Sequence, residues 1–563
     1  MRGKETFIHD LRLPGMLYAR FLRSPHAHAR LDDIHFSSHW IHAQTQAFFG
    51  KDLNPSLGHL PVRGEAPPHL RDADIFHKPT LIEPLVQEES LYFGQPYGVV
   101  LAESPYAAED AAEQIRASWT PLPAVASIEH ALSGGQSVLP GWSDNLAVRL
   151  RLRQGDADAA LQRAEIIVEE RYHTRRCIAS PLETRGVVAD YDTESGRLAV
   201  WSATQAPHGL KKALAAILPL AADRIDVQVP AVGGAFGCKS AVYPEDLIVP
   251  LLAFQLGKPV CWHEDRLEHF AGTGHAREQI HHMVLAADRE GRLVALRDEF
   301  YLDGGAYNPN GIILTYNTAS HLCGPYVIPH YDIRGSFVLT HKTPTLPYRG
   351  AGRPEAVFAM ERSLDRLARK LGMDPVLLRR KNMIEDADHP HDTGMMYRDG
   401  QPMRIDSRRF HYFVDSIQSA LHEHGWFSRR QKLRQMGADR QLGIGWASYI
   451  EGTGIGPFEA ARLRVDENGK VLVWLGISSQ GQGHCTTLAQ VAAYALQIDV
   501  SAIEVRTGDT MAVPEGIGTF ASRVAALAGS AVWQGAAEII EKAKQAASEL
   551  LEVNVEGLVY RSG

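Results

Sequence analysis

The sequence predicts a mixed α+β chain of several domains, and three observations carry that prediction. At 563 residues it exceeds what one hydrophobic core organises, so two to four domains are expected. β-type runs alternate with amphipathic helices along the chain, without an internal repeat or a low-complexity tract. Its composition, 45% hydrophobic and 22% charged, is that of an ordinary globular protein.

Residues 1–131 combine short strands with one helix. Ser104-Pro105 opens it, an N-cap followed by proline, and Ala108, Ala111, Ala112 and Ile115 carry it to Trp119, where Pro121 and Pro123 stop it. Residues 132–144, rich in Gly, Ser and Pro, read as a linker. A second domain over 145–385 carries strands at 166–173, 187–191, 198–202 and 225–229. After Pro354, the residues Val357, Met360, Leu364, Leu367 and Leu371 recur at helical spacing; Gly372 ends that helix and Asp374-Pro375 caps a shorter one. Residues 385–440 read as irregular and rich in His and Arg. The third domain, over 415–563, takes form from Gly443. It has a Gly-rich turn at 452–456, strands at Ala461–Val465 and Val471–Leu475, a helix over 488–496 and an Ala-rich helix over 522–552.

A formal net charge of -8 argues against a nucleic-acid partner, since phosphate binding needs a basic footprint and the Lys and Arg residues are scattered. Met1 is followed by Arg-Gly-Lys-Glu-Thr, without an apolar core or cleavage site, so no secretory signal is expected. No uninterrupted apolar run approaches the roughly eighteen residues of a membrane span. Cys177, Cys238, Cys261, Cys323 and Cys485 lie too far apart for a zinc knuckle or an iron–sulfur loop. They read as free thiols of a reducing cytoplasm. Redox chemistry would need a cofactor held by something other than clustered cysteine.

Four Gly-rich loops are candidates for holding one. Val232-Gly-Gly-Ala-Phe-Gly-Cys-Lys-Ser240 follows a strand, and Gly233, Lys239 and Ser240 match part of a P-loop. Cys238 takes the place of the glycine that must let backbone approach phosphate, and Pro244 would disturb the helix that should face it. A tight structural turn is the plainer reading. Pro347-Tyr-Arg-Gly-Ala-Gly-Arg-Pro-Glu355 sets two arginines before a helix, either as forks for anionic oxygens or as a capping loop with surface charges. Ser479-Gln-Gly-Gln-Gly-His-Cys-Thr-Thr487 offers amides, carboxamides and hydroxyls at a helix N-terminus. The adjacent His484 and Cys485 point to different faces and argue against a metal. The fourth loop, 508–523, ends in small hydroxyl residues before a helix. His26/His28 and His389/His391 read as surface or strand histidines.

Each loop is weak alone; their order is not. The series resembles the large, molybdopterin-binding subunit of the xanthine dehydrogenase/aldehyde oxidase family of molybdenum hydroxylases, over essentially the whole chain. Phe7-Ile-His-Asp, Pro14-Gly-Met-Leu, Ser24-Pro-His-Ala-His-Ala and Phe93-Gly-Gln-Pro resemble its α/β hammerhead domain. Pro181-Leu-Glu, Thr204-Gln-Ala-Pro-His, the Gly233 loop, Tyr348-Arg-Gly-Ala-Gly-Arg-Pro-Glu-Ala and Gly481-Gln-Gly-His-Cys-Thr-Thr resemble its two molybdopterin-binding domains, in family order. The Gln-Gly-His and Pro-Leu-Glu-Thr segments look closest to the carbon monoxide dehydrogenase large-subunit branch.

The resemblance implies a molybdenum–molybdopterin cofactor in its cytosine dinucleotide form, with no direct protein ligand to the metal. Gln205, Phe236, Arg349 and Ala521 would lie near molybdenum. Gln480, Gln482, Gly483, His484, Thr519 and Ser522 would hold the pterin and its phosphates, with Gly234, Ala235 and Gly237 beside them. Partner subunits would carry 2Fe-2S clusters and FAD. The implied reaction hydroxylates an electron-poor carbon with water as oxygen source, using a glutamate base from a Gly-Glu segment. No such segment follows the Gln-Gly-His loop here. The expectation is therefore an incomplete second molybdopterin-binding domain, either because a separate chain supplies the rest or because the chain is C-terminally truncated, with truncation favoured and the chain inactive alone.

Departures from the family pattern bear on substrate. Gly350 stands where carbon monoxide dehydrogenases carry cysteine, which argues against a copper site. Ser240 and Ala351 replace the Glu and Phe of purine-oxidising members, removing a carboxylate and an aromatic platform. An aldehyde or an aromatic N-heterocycle remains. A P-loop hydrolase would account for one loop only, and a purely structural interaction protein for none.

Overall fold

The computed structural model describes residues 5–36, 45–60, 75–398 and 400–561. A seven-stranded mixed sheet runs in the order Ile225–Gln228, Arg197–Ser202, Gly186–Asp192, Val260–His263, Leu17–Arg23, Pro96–Ala102, Gln46–Phe49. It crosses the expected linker: Leu17 and Tyr18 pair in parallel with Val260 and Cys261. Both faces are covered, so all of Pro96–Ala102 is buried. Val99 and Leu101 face one core and Val100 the other, by the period-two alternation of a strand; Tyr97 joins Val100 because the register shifts opposite Leu22 and Arg23. Helix Pro244–Leu256 packs Leu247, Ile248, Leu251 and Leu252 into the first of these cores. Pro244 does not disturb that helix. It occupies the first turn, where its missing N–H has no intrahelical partner to lose.

A six-stranded sheet runs Ile75–His77, Leu146–Gln154, Tyr331–Leu339, Leu293–Gly305, Gln279–Ala287, Ile166–Thr174. Helix Arg353–Leu371 lies on it, with Met360, Leu364 and Leu367 packed among Met283, Leu285 and Phe300. Gly372, at φ 65°, ends that helix in the left-handed conformation expected of glycine. Asp374 caps Pro375–Asn382, accepting from the Val376 and Leu377 N–H groups. Helix Gly311–His321 is almost wholly buried between this layer and the loops described below.

The last region is a three-stranded sheet of Ala461–Val465, Val471–Leu475 and Ile503–Thr507. Helices His484–Leu496 and Gly529–Leu551 cover it around Val473, Leu475, Leu488, Ala492 and Val532. It docks on the first sheet through the Val229 N–H, which donates to the Gly508 carbonyl at 2.7 Å.

Some local expectations change. The helix opened by Ser104-Pro105 ends at Glu113 and is preceded by another, Gly50–Leu57, that the sequence reading missed; Arg116–Pro121 is a strand paired with Ala29–His35. Ala117 and Trp119 alternate inward there against Leu22 and Tyr97, so tertiary packing overrides the alanine-rich helical pattern. Residues 132–144 are no free linker: Val138 is buried, and Asn145 ties the loop by accepting from the Val138 N–H and donating to the Gln136 carbonyl. The stretch 385–440 is ordered as a hairpin of His391–Met396 with Pro402–Ile405, then helices Phe410–Glu423 and Trp426–Gln435. The Ala-rich helix starts through a π-turn at Val524–Ala528 and becomes α-helical at Gly529–Leu551. Among the described residues no helix is long and apolar enough to cross a membrane.

Candidate cofactor site

The Gly-rich loops leave the ends of strands in both cofactor regions and meet at one cavity of about 860 Å³. Gln205 is the hub. Its Oε1 accepts from the Gly237 N–H at 3.0 Å, its Nε2 donates to the Thr519 carbonyl at 2.7 Å, and its own N–H donates to the Lys239 carbonyl at 2.9 Å. One carboxamide N–H is left unengaged on a side chain that is buried and lines the cavity.

Backbone strain collects around the same space. Phe236 (φ 54°), Ala351 (φ 48°), Ala521 (φ 53°) and Ser522 (φ 53°) are left-handed non-glycine residues, and all four line the cavity. Each such conformation costs on the order of 1 kcal/mol and persists only where its surroundings hold it. The Phe236 carbonyl accepts from the Arg349 N–H at 2.9 Å, and the Ala351 carbonyl accepts from Asn317 Nδ2 at 2.9 Å. Gly237 is required outright, because a Cβ there would meet the Pro347 carbonyl oxygen at 2.3 Å.

The two arginines of the Tyr348 loop are not equivalent. Arg349 is exposed at the cavity rim. Arg353 is buried, donating to His321 Nε2, the Gly350 carbonyl and Tyr397 Oη, with Glu451 at 3.4 Å. Its guanidinium is consumed by the fold, so the expected pair of anion forks reduces to Arg349. In the third loop Gln480 and Gln482 bond each other: the Gln480 N–H donates to Gln482 Oε1 at 2.7 Å, and Gln482 Nε2 donates to Gln480 Oε1 at 2.9 Å. Gly483, at φ 77°, turns the chain into helix His484–Leu496. His484 presents a buried Nδ1 without a partner, and burial lowers its pKa.

Gln205, Ala235, Phe236, Gly237, Ser240, Arg349, Ala351, Gln480, Gln482, His484, Thr519, Ala521 and Ser522 all line the cavity. Gly234 and Gly483 do not; they shape the loops behind it. Sequence reasoning missed Asn317, Glu451 and the buried Arg523–Glu459 ion pair. None of them carries a motif, because each acts through a partner far away in the chain. The P-loop reading fails. Lys239 is buried, and its ammonium donates to Glu183 Oε2 at 3.1 Å instead of facing a phosphate.

Among the described residues no cluster of His, Cys, Asp or Glu could hold a metal, and all five cysteines are free. The cavity offers carboxamides, main-chain groups, an unpartnered buried acceptor at Asn317 and an unpartnered buried ring nitrogen at His484. That donor set fits a cofactor that brings its own metal ligands and asks the protein only for hydrogen bonds. The fold and site thus define a chain whose domains converge on one cavity suited to a large cofactor.

Molybdopterin cofactor-binding domain models match residues 140–383 and 419–563, and the aldehyde oxidase and xanthine dehydrogenase a/b hammerhead model matches residues 2–123. The chain is 34% identical to the 6-hydroxypseudooxynicotine dehydrogenase complex subunit gamma of Paenarthrobacter nicotinovorans, covering 100% of this chain and 70% of that one. It is 30% identical to the carbon monoxide dehydrogenase large chain of Hydrogenophaga pseudoflava, covering 98% and 70%. Quinoline 2-oxidoreductase from Pseudomonas putida 86 superposes with a TM-score of 0.90 at 32% identity, over 100% of this chain and 71% of that one. The chain belongs to the xanthine dehydrogenase/aldehyde oxidase family and is a molybdopterin-binding subunit of the molybdenum hydroxylase type.

Proposed function

We propose that this chain, in the cytoplasm, holds molybdopterin cytosine dinucleotide and works with separate 2Fe-2S and FAD subunits to hydroxylate an electron-poor carbon of an aromatic N-heterocycle. The observation that carries the substrate class is the wall beside Ser240 and Ala351. Leu60, Ile82, Val242, Ile313 and Ala351 contribute apolar surface to the cavity, and the Ser240 hydroxyl is spent on the Gly237 carbonyl at 2.7 Å. An apolar lining of this kind suits an aromatic ring, and position 240 has no carboxylate to grip a purine. Two of the relatives are named for quinoline and for 6-hydroxypseudooxynicotine.

The unengaged N–H of Gln205, with main chain at Phe236, Arg349 and Ala521, would surround the metal. Gln480, Gln482, Gly483, His484, Thr519 and Ser522 would hold the pterin and its phosphates. When bound, the cofactor supplies a two-electron oxidation; the chain orients ring and cofactor and keeps their surroundings polar only where charge develops.

The test is direct. Protein purified with its partner subunits from molybdate-replete cells should carry about one molybdenum and one pterin per chain; absence of both would sink the cofactor reading. Where the complex supplies the base that no segment after the Gln-Gly-His loop provides, quinoline-type heterocycles should turn over faster than benzaldehyde with a dye acceptor; cofactor content without turnover would favour a cofactor-holding chain that is inactive alone. Turnover of aldehydes alone would replace the substrate class.

A further inference from the structure

Helix Gly311–His321 presents one side chain to the cavity whose chemistry is half used. Asn317 is 1% exposed and lines the cavity. Its Nδ2 donates to the Ala351 carbonyl at 2.9 Å, which fixes the orientation of the amide, since only the nitrogen end can bond a carbonyl. Its Oδ1 is buried and has no hydrogen-bond partner. Ile313 and Ala351 line the cavity with it, and none of the polar side chains that also line the cavity, Arg349, Arg353 and Arg398 among them, hydrogen-bonds this oxygen.

We propose that Asn317 Oδ1 is the acceptor by which this cavity selects its substrate, and that the preferred class is a heterocycle carrying an N–H or O–H donor, as a lactam or hydroxylated ring does. This rests on the heterocycle reading above. A ring without a donor would displace solvent from Oδ1 and leave a buried acceptor unpaired. A ring with one would replace the lost bond. Sites with a polar group to satisfy discriminate against analogues that lack the partner far better than apolar slots discriminate by size. Anchoring through Ala351, itself held at φ 48°, places the acceptor beside the loop of Arg349, not in a free rotamer.

The experiment is calorimetric binding of 2-pyridone and N-methyl-2-pyridone to the purified complex, wild type and variants. Wild type is expected to prefer 2-pyridone by at least about tenfold. Asn317→Leu, which removes the acceptor at similar volume, should abolish the preference, while Asn317→Gln, which keeps both the amide donor and the acceptor oxygen, should retain part of it. Equal binding of the two rings by wild type, or a preference that survives in Asn317→Leu, overturns the inference while leaving the heterocycle reading intact. Failure of both rings to bind the wild-type complex overturns the inference and the heterocycle reading together.

Discussion

Gln205 and Thr519, 314 residues apart in the chain, exchange hydrogen bonds: the Thr519 N–H donates to the Gln205 carbonyl at 2.9 Å, and Gln205 Nε2 donates to the Thr519 carbonyl at 2.7 Å. Reciprocal bonds of this kind fix register, so the loop carrying Ala521 and Ser522 cannot slide past the Gly233 loop. Gly518 permits the approach, because a Cβ there would meet the Gln205 carbonyl oxygen at 2.4 Å. Behind the contact, Glu459 accepts from the Gly518 N–H at 2.9 Å and pairs with the buried Arg523. Two cofactor regions are thus latched at the point where their cavity lies.

Replacing Gln205 by Leu should unlatch them. The substitution leaves the Gly237 N–H and one lone-pair direction of the Thr519 carbonyl without their partner in a buried place, a loss of about 2–4 kcal/mol. Urea unfolding of the variant should show that drop, and its molybdenum content should fall with it. An unchanged midpoint would mean that the latch contributes nothing.

Gly237 and Gly481 separate conformational strain from steric exclusion. Both have positive φ, 110° and 101°, but a Cβ on Gly237 meets the Pro347 carbonyl oxygen at 2.3 Å while one on Gly481 meets nothing within 4 Å. Gly481→Ala should cost roughly 1–2 kcal/mol. Gly237→Ala should cost more than that, because the Pro347 segment must move as well. Thermal denaturation of the two variants side by side decides it, and equal losses would remove the steric part.

How far the sequence could be read depends on where each residue finds its partner. The helix Arg353–Leu371 was legible because its periodicity, its proline and its terminal glycine are local signals. The cavity loops were legible as an ordered series, though none was decisive alone. Arg116–Pro121 was not, since its strand state is set by pairing with Ala29–His35, which a window of local sequence does not contain. Arg353 looked like a ligand fork because it sits in a Gly-rich loop immediately before a helix. Its partners, His321 and Tyr397, come from a helix and a hairpin elsewhere in the chain. Asn317 sits in no motif, and only the fold brings it to the Ala351 turn.

The Lys239–Glu183 pair should behave as a buried structural bridge and not as a nucleotide site. Glu183 Oε2 accepts from both Lys239 Nζ and the Gly233 N–H, so the pair closes the Gly233 loop on itself. Lys239→Met leaves Glu183 buried and unpaired, with an expected loss of about 3–5 kcal/mol. Adding Glu183→Gln should recover part of it. A double variant less stable than Lys239→Met would contradict the pairing.

Acid should weaken the protein through His321. The ring is buried and its Nε2 accepts from Arg353 Nε at 3.0 Å, so protonation would set an imidazolium against a guanidinium. Burial first, and the Arg353 charge second, push its pKa down to about 3. In the unfolded chain the ring titrates near its ordinary value of 6.5. The unfolded state therefore binds a proton between those values that the folded state refuses. The stability due to the neutral ring is fully present above pH 6.5 and is lost as pH falls towards 3, by about 1.4 kcal/mol per pH unit. His341, also pushed to about 3, and His263 and His275, pushed to about 4, act in the same direction. Denaturant unfolding from pH 7 to 5 should show a steep fall in stability. The slope should be shallower in His321→Gln, which keeps an acceptor for Arg353 but cannot take up the proton. An identical slope in that variant would assign the acid lability to other groups.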